Sequence, residues 1–392
     1  MKILLVSHEF SVTGAPFVLL WVTKFLKNNG HDISVWSLRD GPLKDDFIKS
    51  GVNPLIIQDD KRSIFKLYQE QNIHYDLIIC NTVCTYKCVD VLQRFKTPVI
   101  WYIHETKFLD DFLPKNPDCI ELLKNFYNIY TVSDWNATVL KKYNSNVKVI
   151  KNGVKDEFEN YTLLSDHVRF GFIGSIIPVK GIDLLIDSFM NVLKDYPTAT
   201  LDIAGNYSED FGKNLKEKTK DISNIRWLGV VQKEEKKRFF DNIDVLCVPS
   251  LDDPCPLTVL EGVMLGKLII TTDKVGSNYV CKNGENGYIT SAGSTDELAN
   301  AISQLCVNHQ NISAMQQKSR EMYLKMATFA QYEENVFKMV EDNVNNLPIV
   351  NTKLKFERRK ILCKKKGENG KRTYYFLGIK IFSYRKKMKG NK

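Results

Sequence analysis

The sequence has no apolar run approaching the roughly 20 residues that cross a bilayer, so no helical membrane span is expected. It shows no secretory leader pattern. Met1-Lys2 leads directly into ILLVSHEF, which reads as a first core strand, and a cytoplasmic location is expected. Cysteine is present but unorganised: nine, scattered and odd in number, which argues against a disulfide framework and fits a reducing compartment. Cys80, Cys84 and Cys88 stand four apart and invite a metal reading, but a strand end and a helix face of small apolar residues account for them. The Asn-x-Thr sequons at Asn136 and Asn160 then read as chance matches. No internal repeat is visible, and no Asp-x-Asp motif stands at a strand end, so no metal is expected.

Charge is unevenly distributed. The net charge is +9, yet residues 351–392 alone carry sixteen Lys or Arg against two Glu, a net of +14. The remaining body is therefore mildly acidic, near −5 (9 − 14). A hydrophobic fraction of 43% with 26% charged residues is that of an ordinary globular protein, and 392 residues suit two domains better than one.

Short apolar runs alternate with amphipathic stretches, the pattern of parallel α/β architecture. Strand Ile3–Ser7, a helix from about Pro16 to Asn28 closed by Gly30, and strand Asp32–Ser37 form a first βαβ unit. Further strands are expected at Leu77–Cys80, Val99–Ile103, Ile129–Val132 and Val147–Ile150. A second set is expected at Arg169–Ile173, Ala199–Ala204, Ile225–Leu228, Val245–Val248, Leu268–Thr271 and Gly287–Ile289. The polar stretch Asp156–Asp166 reads as the linker, and Phe329–Val344 as a final helix. The expected organisation is two doubly wound domains, 1–160 and 161–330, facing across a cleft, a helix in 331–348, and a basic aromatic tail, 349–392.

The most informative segment is VPSLDDPCPLTVLEGVMLGKLIITT, Val248 to Thr272. A buried strand ends in a loop carrying Asp253. A helix then begins near Leu257 and carries Glu261, and Gly266 stops it before the next strand. A loop at a strand's C-terminal end that feeds a helix N-terminus is where open α/β sheets bind phosphorylated ligands. Two carboxylates flanking it can accept hydrogen bonds from sugar hydroxyls. Together they point to a nucleotide sugar.

With seven residues between the two acids, the segment resembles the E-x7-E signature of family-four retaining glycosyltransferases, which have the GT-B fold; here the first acid is Asp. The resemblance covers about residues 1 to 345. It implies that Glu261 binds ribose hydroxyls, that Asp253 holds the transferred sugar, and that Leu257, Thr258 and Val259 offer N–H groups to the diphosphate of a UDP- or GDP-sugar. Pro256 stands where the family often has Gly and has no N–H to offer. GFIGSIIPVKGIDLLIDSF resembles the family's Gly-Arg…Glu-Lys-Gly pattern, with Gly174 at the turn, Ser175 in place of Arg, Val179 in place of Glu, and Lys180 left to neutralise the diphosphate unless another cation enters the cleft. SHEFSVTGAP resembles the glycine-rich first loop, with Gly14-Ala15 able to approach the donor. His104 ends strand VIWYIHE, as a His does in the family, and is expected to meet a sugar hydroxyl or the reacting centre. Ser133 in TVSDW reads as a helix cap and Asn152-Gly153 as a turn at the domain boundary.

No carboxylate is placed as a glycosidase nucleophile would be. The family implies a front-face route with retention, in which the departing phosphate assists deprotonation of the acceptor and no cofactor or metal takes part. Lys180 and loop N–H groups would supply the electrostatics. In the tail, Tyr374, Tyr375, Phe376, Ile379, Ile381 and Phe382 lie between basic clusters. An anionic membrane surface, nucleic acid and a solvated chain are all compatible with that pattern. YYFLGIKIFSY resembles a C-terminal signature on bacterial surface-polysaccharide glycosyltransferases, which favours a membrane-associated glycan or lipid-linked acceptor at the inner face of the cell membrane and makes nucleic acid the lesser reading. A catalytically silent nucleotide- or sugar-binding protein of the same fold is the alternative.

Overall fold

A computed structural model describes residues 1–157, 167–344, 362–366, 371–376 and 379–385. The first sheet contains β1 (Lys2–Ser7), β2 (Asp32–Ser37), β3 (Leu55–Ile56), β4 (Leu77–Asn81), β5 (Val99–Ile103), β6 (Ile129–Thr131) and β7 (Val147–Val149). The second contains β8 (Arg169–Ile173), β9 (Thr200–Ala204), β10 (Ile225–Gly229), β11 (Val245–Val248), β12 (Leu268–Thr272) and β13 (Gly287–Thr290). Their orders are β3-β2-β1-β4-β5-β6-β7 and β10-β9-β8-β11-β12-β13, parallel throughout.

Every strand expected from the sequence is present, with ends shifted by no more than one residue. The reason is local: strands covered by helices on both faces must be apolar at every position, and β4 and β5 are buried from end to end. In the two parallel sheets only β3 was not foreseen, since two exposed residues carry no pattern; the three strands of the tail were not foreseen either. Cys80 and Cys88 belong to the core on one face of the first sheet.

Residues 1–345 form one compact unit. The helix Phe329–Val344 buries Tyr332, Val336, Met339 and Val340 in the core on the other face of the first sheet, with Ile3, Leu5, Ile79 and Tyr102. Trp21 meets Phe329 and Tyr332 edge-on, at 5.6 and 6.2 Å between ring centroids. The expected linker lies mostly outside the described residues, as 158–166 are not among them, and so does the boundary between 160 and 161. Where the chain leaves the first sheet it runs beside the strand of chain that returns to it. Val154 pairs with Thr328, and the Val154 N–H donates to the Ala327 carbonyl at 3.0 Å. Gly153 is needed here for close approach rather than for a turn: a Cβ would lie 2.2 Å from the Thr328 carbonyl oxygen.

In the tail, the described residues form a separate antiparallel sheet, β14 (Leu362–Lys366), β15 (Lys371–Phe376) and β16 (Ile379–Arg385), in that order. Lys364 is in register with Tyr374, and Tyr374 with Phe382. The rest of 349–392 lies outside the described residues.

Gly153→Ala should force the two crossing chains apart and cost about 1–3 kcal/mol, the usual range for overpacking. A urea unfolding midpoint equal to that of the unmodified protein would show that the crossing can part freely.

Candidate functional site

Open parallel sheets bind ligands where strand order reverses, because adjacent loops there leave to opposite sides. The reversals are between β1 and β4 and between β8 and β11. Both open on one cavity of about 500 Å³. The first half contributes Thr13, Gly14, Phe17 and Trp21. The second contributes Gly174, Ser175, Lys180, Lys236, Asp253, Leu257, Thr258 and Glu261.

Lys180 ends a single 3-10 turn, Pro178–Lys180. The next residue, Gly181, has φ +65°, and a Cβ there would lie 2.2 Å from the Pro249 carbonyl oxygen, so the turn requires glycine. Packed on the loop after β11, this turn delivers the Lys180 ammonium to Oδ2 of Asp253. Asp253 is buried, and its pKa moves up because burial outweighs the Lys180 charge beside it.

The helix Leu257–Met264 follows Pro256. One sequence assignment is corrected here. The Val259 N–H already donates to the Pro256 carbonyl at 3.3 Å, and the Val259 side chain is fully buried in the core, so Val259 leaves the ligand-facing set. The N–H groups of Leu257 and Thr258 meet no acceptor among the described residues, and both residues line the cavity. They are first-turn amides, which a helix cannot satisfy internally.

Glu261 presents one oxygen to the Lys236 ammonium at 2.6 Å, while Oε2 is buried and unpartnered among the described residues. Lys236 comes from the helix Glu234–Asp241 and is the additional cation in the cleft. Sequence reading missed it because KEEKK looks like any solvated helix face. The missing Arg at Ser175 was the only hint.

The glycine readings are also revised. Gly174 lacks a left-handed φ, and a Cβ there would meet only the Phe172 ring, at 3.6 Å; Gly14 faces open space. Gly14 nonetheless opens the helix Gly14–Asn28 and lines the cavity. Ala15 does not line it; its carbonyl accepts from Asn81 Nδ2 at 3.0 Å.

His104 does not line the cavity either. Its ring is buried 4.4 Å from that of Tyr102, and Nε2 lacks a partner among the described residues. Burial lowers its pKa to about 3, with neighbouring His8 acting in the same direction, so the imidazole is neutral. Glu105 folds back, and its Oε2 accepts the N–H groups of Val83 and His104, both at 3.0 Å. Burial raises its pKa to about 7. Ser133 caps its helix by accepting the Asn136 N–H at 3.1 Å. Among the described residues no group of three His, Cys, Asp or Glu is disposed to hold a metal.

Two facing parallel sheets with this cavity between their reversal points are the architecture of the GT-B glycosyltransferases. HepE of Anabaena, solved with UDP, superimposes with a TM-score of 0.77 at 18% identity, covering 87% of this chain and all of that one. A glycosyltransferase of Haemophilus influenzae is 22% identical over 80% of this chain and 92% of its own. The O-antigen biosynthesis glycosyltransferase WclY of Escherichia coli is 25% identical over 70% of this chain and 80% of its own. Residues 1–160 match the model for glycosyl-transferase family 4, and 167–308 that for glycosyl transferases group 1; the chain belongs to this family of glycosyltransferases.

The buried pair His104 and Glu105 gives opposite pH signatures. Glu105 is held neutral by the fold, so stability falls as pH rises from the ordinary carboxyl pKa of 4.5 towards about 7, then levels off. His104 is also held neutral, so stability falls as pH drops from 6.5 towards about 3. Glu105→Gln, which keeps an acceptor oxygen, should gain on the unmodified protein as pH rises from 5 to 7.5. Urea midpoints at the two pH values check this, and a gap independent of pH would contradict it.

Proposed function

We propose that this glycosyltransferase moves a sugar from a nucleoside-diphosphate sugar to a hydroxyl of a surface glycan or lipid-linked glycan, with retention at the anomeric carbon. One observation carries the reading: two lysines, each paired with a motif carboxylate, share a cavity with two unsatisfied helix N–H groups. Such a cavity suits a diphosphate. On binding, Lys180 and Lys236 turn from Asp253 and Glu261 to the phosphate oxygens, aided by the Leu257 and Thr258 amides. The released carboxylates accept hydrogen bonds from hydroxyls, Asp253 from the transferred sugar and Glu261 from the ribose. The unpartnered Oε2 of Glu261 supports that second assignment.

In the reaction the bond from the anomeric carbon to the diphosphate oxygen breaks, and the acceptor oxygen bonds to the same face. The acceptor's proton passes to the departing diphosphate. The lysines and amides stabilise the charge that builds on the leaving group, which is the largest contribution a site of this kind makes. With two ammonium groups in that role, the reading needs no metal. His104 is assigned to the acceptor side as a neutral imidazole. Its buried Nε2 becomes available when the two walls move apart.

The acceptor class draws support from WclY, described as an O-antigen biosynthesis enzyme. The donor class draws support from HepE, solved with UDP and with UDP-glucose. Among the described residues no helix is long and apolar enough to cross a membrane. The basic segment 351–392 is proposed to hold the enzyme against anionic lipid at the inner face of the membrane.

A thermal-shift and turnover screen of UDP, GDP and their sugar conjugates tests the donor site. One nucleotide class should stabilise the protein, with Glu261→Ala and Lys236→Ala each weakening affinity about tenfold, roughly 1.4 kcal/mol. No shift with any nucleotide would sink the donor assignment, and binding without turnover would favour the catalytically silent reading. Co-sedimentation with phosphatidylglycerol vesicles should fall away at high salt and on removal of 351–392. Equal pelleting by the shortened chain would remove the membrane role.

A further inference from the structure

The acidic loop after β11 belongs to the second half, yet it is gripped by the first. Asp252, next to Asp253, accepts three donors from across the cleft. Its Oδ2 takes the Thr106 hydroxyl and the Lys107 N–H, the latter at 3.0 Å. Its Oδ1 takes the Trp135 indole N–H at 2.9 Å. On the other side of Asp253, the Pro254 carbonyl accepts the Ser133 hydroxyl at 2.5 Å. Asp253 is thus bracketed by two residues held by the first half.

The gripping residues are linked to the acceptor-side candidates. Thr106 and Lys107 directly follow His104 and Glu105 at the end of β5. Ser133 and Trp135 begin the helix Asp134–Leu140, whose Asn136 donates its side-chain amide to the Glu105 carbonyl. The Lys274 ammonium covers the Trp135 ring at 4.4 Å from its centroid, a second contact from the donor half onto the same indole. Within its own half, the Asp253 N–H donates to the Lys274 carbonyl at 3.0 Å, so that contact also steadies the loop.

We propose that Asp252 is a positioning residue: its carboxylate latches the acidic loop to Thr106, Lys107 and Trp135, and so sets the closed spacing between the Lys180–Asp253 pair and the acceptor wall. Among the described residues the Asp252 carboxylate forms no ion pair within the latch. It is satisfied by three hydrogen bonds that exist only when the halves are together, which makes the contact specific to closure. The catalytic part of this proposal rests on the transferase reading above; the latch itself does not.

The test compares full-length protein with Asp252→Asn and Trp135→Phe, the latter removing one donor while keeping a ring under Lys274. Asp252→Asn should lower kcat about tenfold, as a small misplacement of reacting groups does, with the Kd for UDP moving less than about twofold. Trp135→Phe should cost about threefold, and the double variant should be no slower than Asp252→Asn alone, because the two act as one unit. Unchanged kcat, multiplying effects, or a loss that tracks UDP affinity would each overturn the proposal. Hydrogen exchange at the Lys107 amide gives a readout independent of turnover. It should be protected in the unmodified protein and faster in both variants; no protection in the unmodified protein would also overturn the latch. If no donor is turned over, the transferase reading fails while the exchange comparison still decides the latch.

Discussion

A carboxylate buried beside a single lysine organises the second half of this protein. Asp253 has lost most of its contact with water, and burial alone would drive it towards the neutral acid. Lys180 opposes that, and much of the local structure serves to bring Lys180 there. The left-handed Gly181 lets the turn press on Pro249, and the N–H and carbonyl of Asp253 are fixed by Lys274 and Gly276 at 3.0 and 2.8 Å. An ion pair of this kind adds little net stability, because desolvation offsets attraction. Its consequence is functional. In the proposed reading an incoming anion does not create the positive site; it exchanges with a carboxylate already paired there, at Lys180 and at Lys236 alike.

The two halves are joined by contacts of two physical kinds. The helix Phe329–Val344 is bound to the first sheet by an apolar core, with Tyr332 and Val336 fully buried and Trp21 edge-on to two rings. Such a contact is non-directional. The seam at the cavity is different: Asp252, Ser133, Trp135, Thr106 and the Tyr279 hydroxyl, which donates to the Asn152 carbonyl at 3.1 Å, meet through hydrogen bonds. Polar seams can exchange their hydrogen bonds with water, so this join depends on direction in a way that the apolar helix contact does not. The buried Nε2 of His104, without a partner among the described residues, is an unsatisfied polar group beside this seam.

Local pattern made the elements legible. β4, β8 and β11 are short apolar runs, and helices such as Phe329–Val344 repeat apolar residues at helical spacing. Neither depends on anything far along the chain. The spacing of Asp253 and Glu261 was legible for the same reason, since a loop and the first turns of a helix fix it. Val259 was misassigned because the hydrogen bond its N–H donates to the Pro256 carbonyl depends on how Pro256 begins that helix, which composition does not reveal. His104 was expected at the cavity because a strand end in a doubly wound sheet opens there. Its ring instead packs, tilted by 55°, against Tyr102, and that depends on rotamer and packing.

The sequence by itself determined the two parallel sheets, the final helix and the acidic loop, because continuous apolar runs, the 3.6-residue helical period and the chemistry of glycine and proline act over a few neighbours. Tertiary structure alone decided which charges meet. Lys236 reaches Glu261 across 25 residues of chain, Lys180 reaches Asp253 across 73, and Thr106 reaches Asp252 across 146. Pairings at that range follow from which loops the strand-order reversals bring together. That is set by the packing of whole sheets, and no window of sequence contains it.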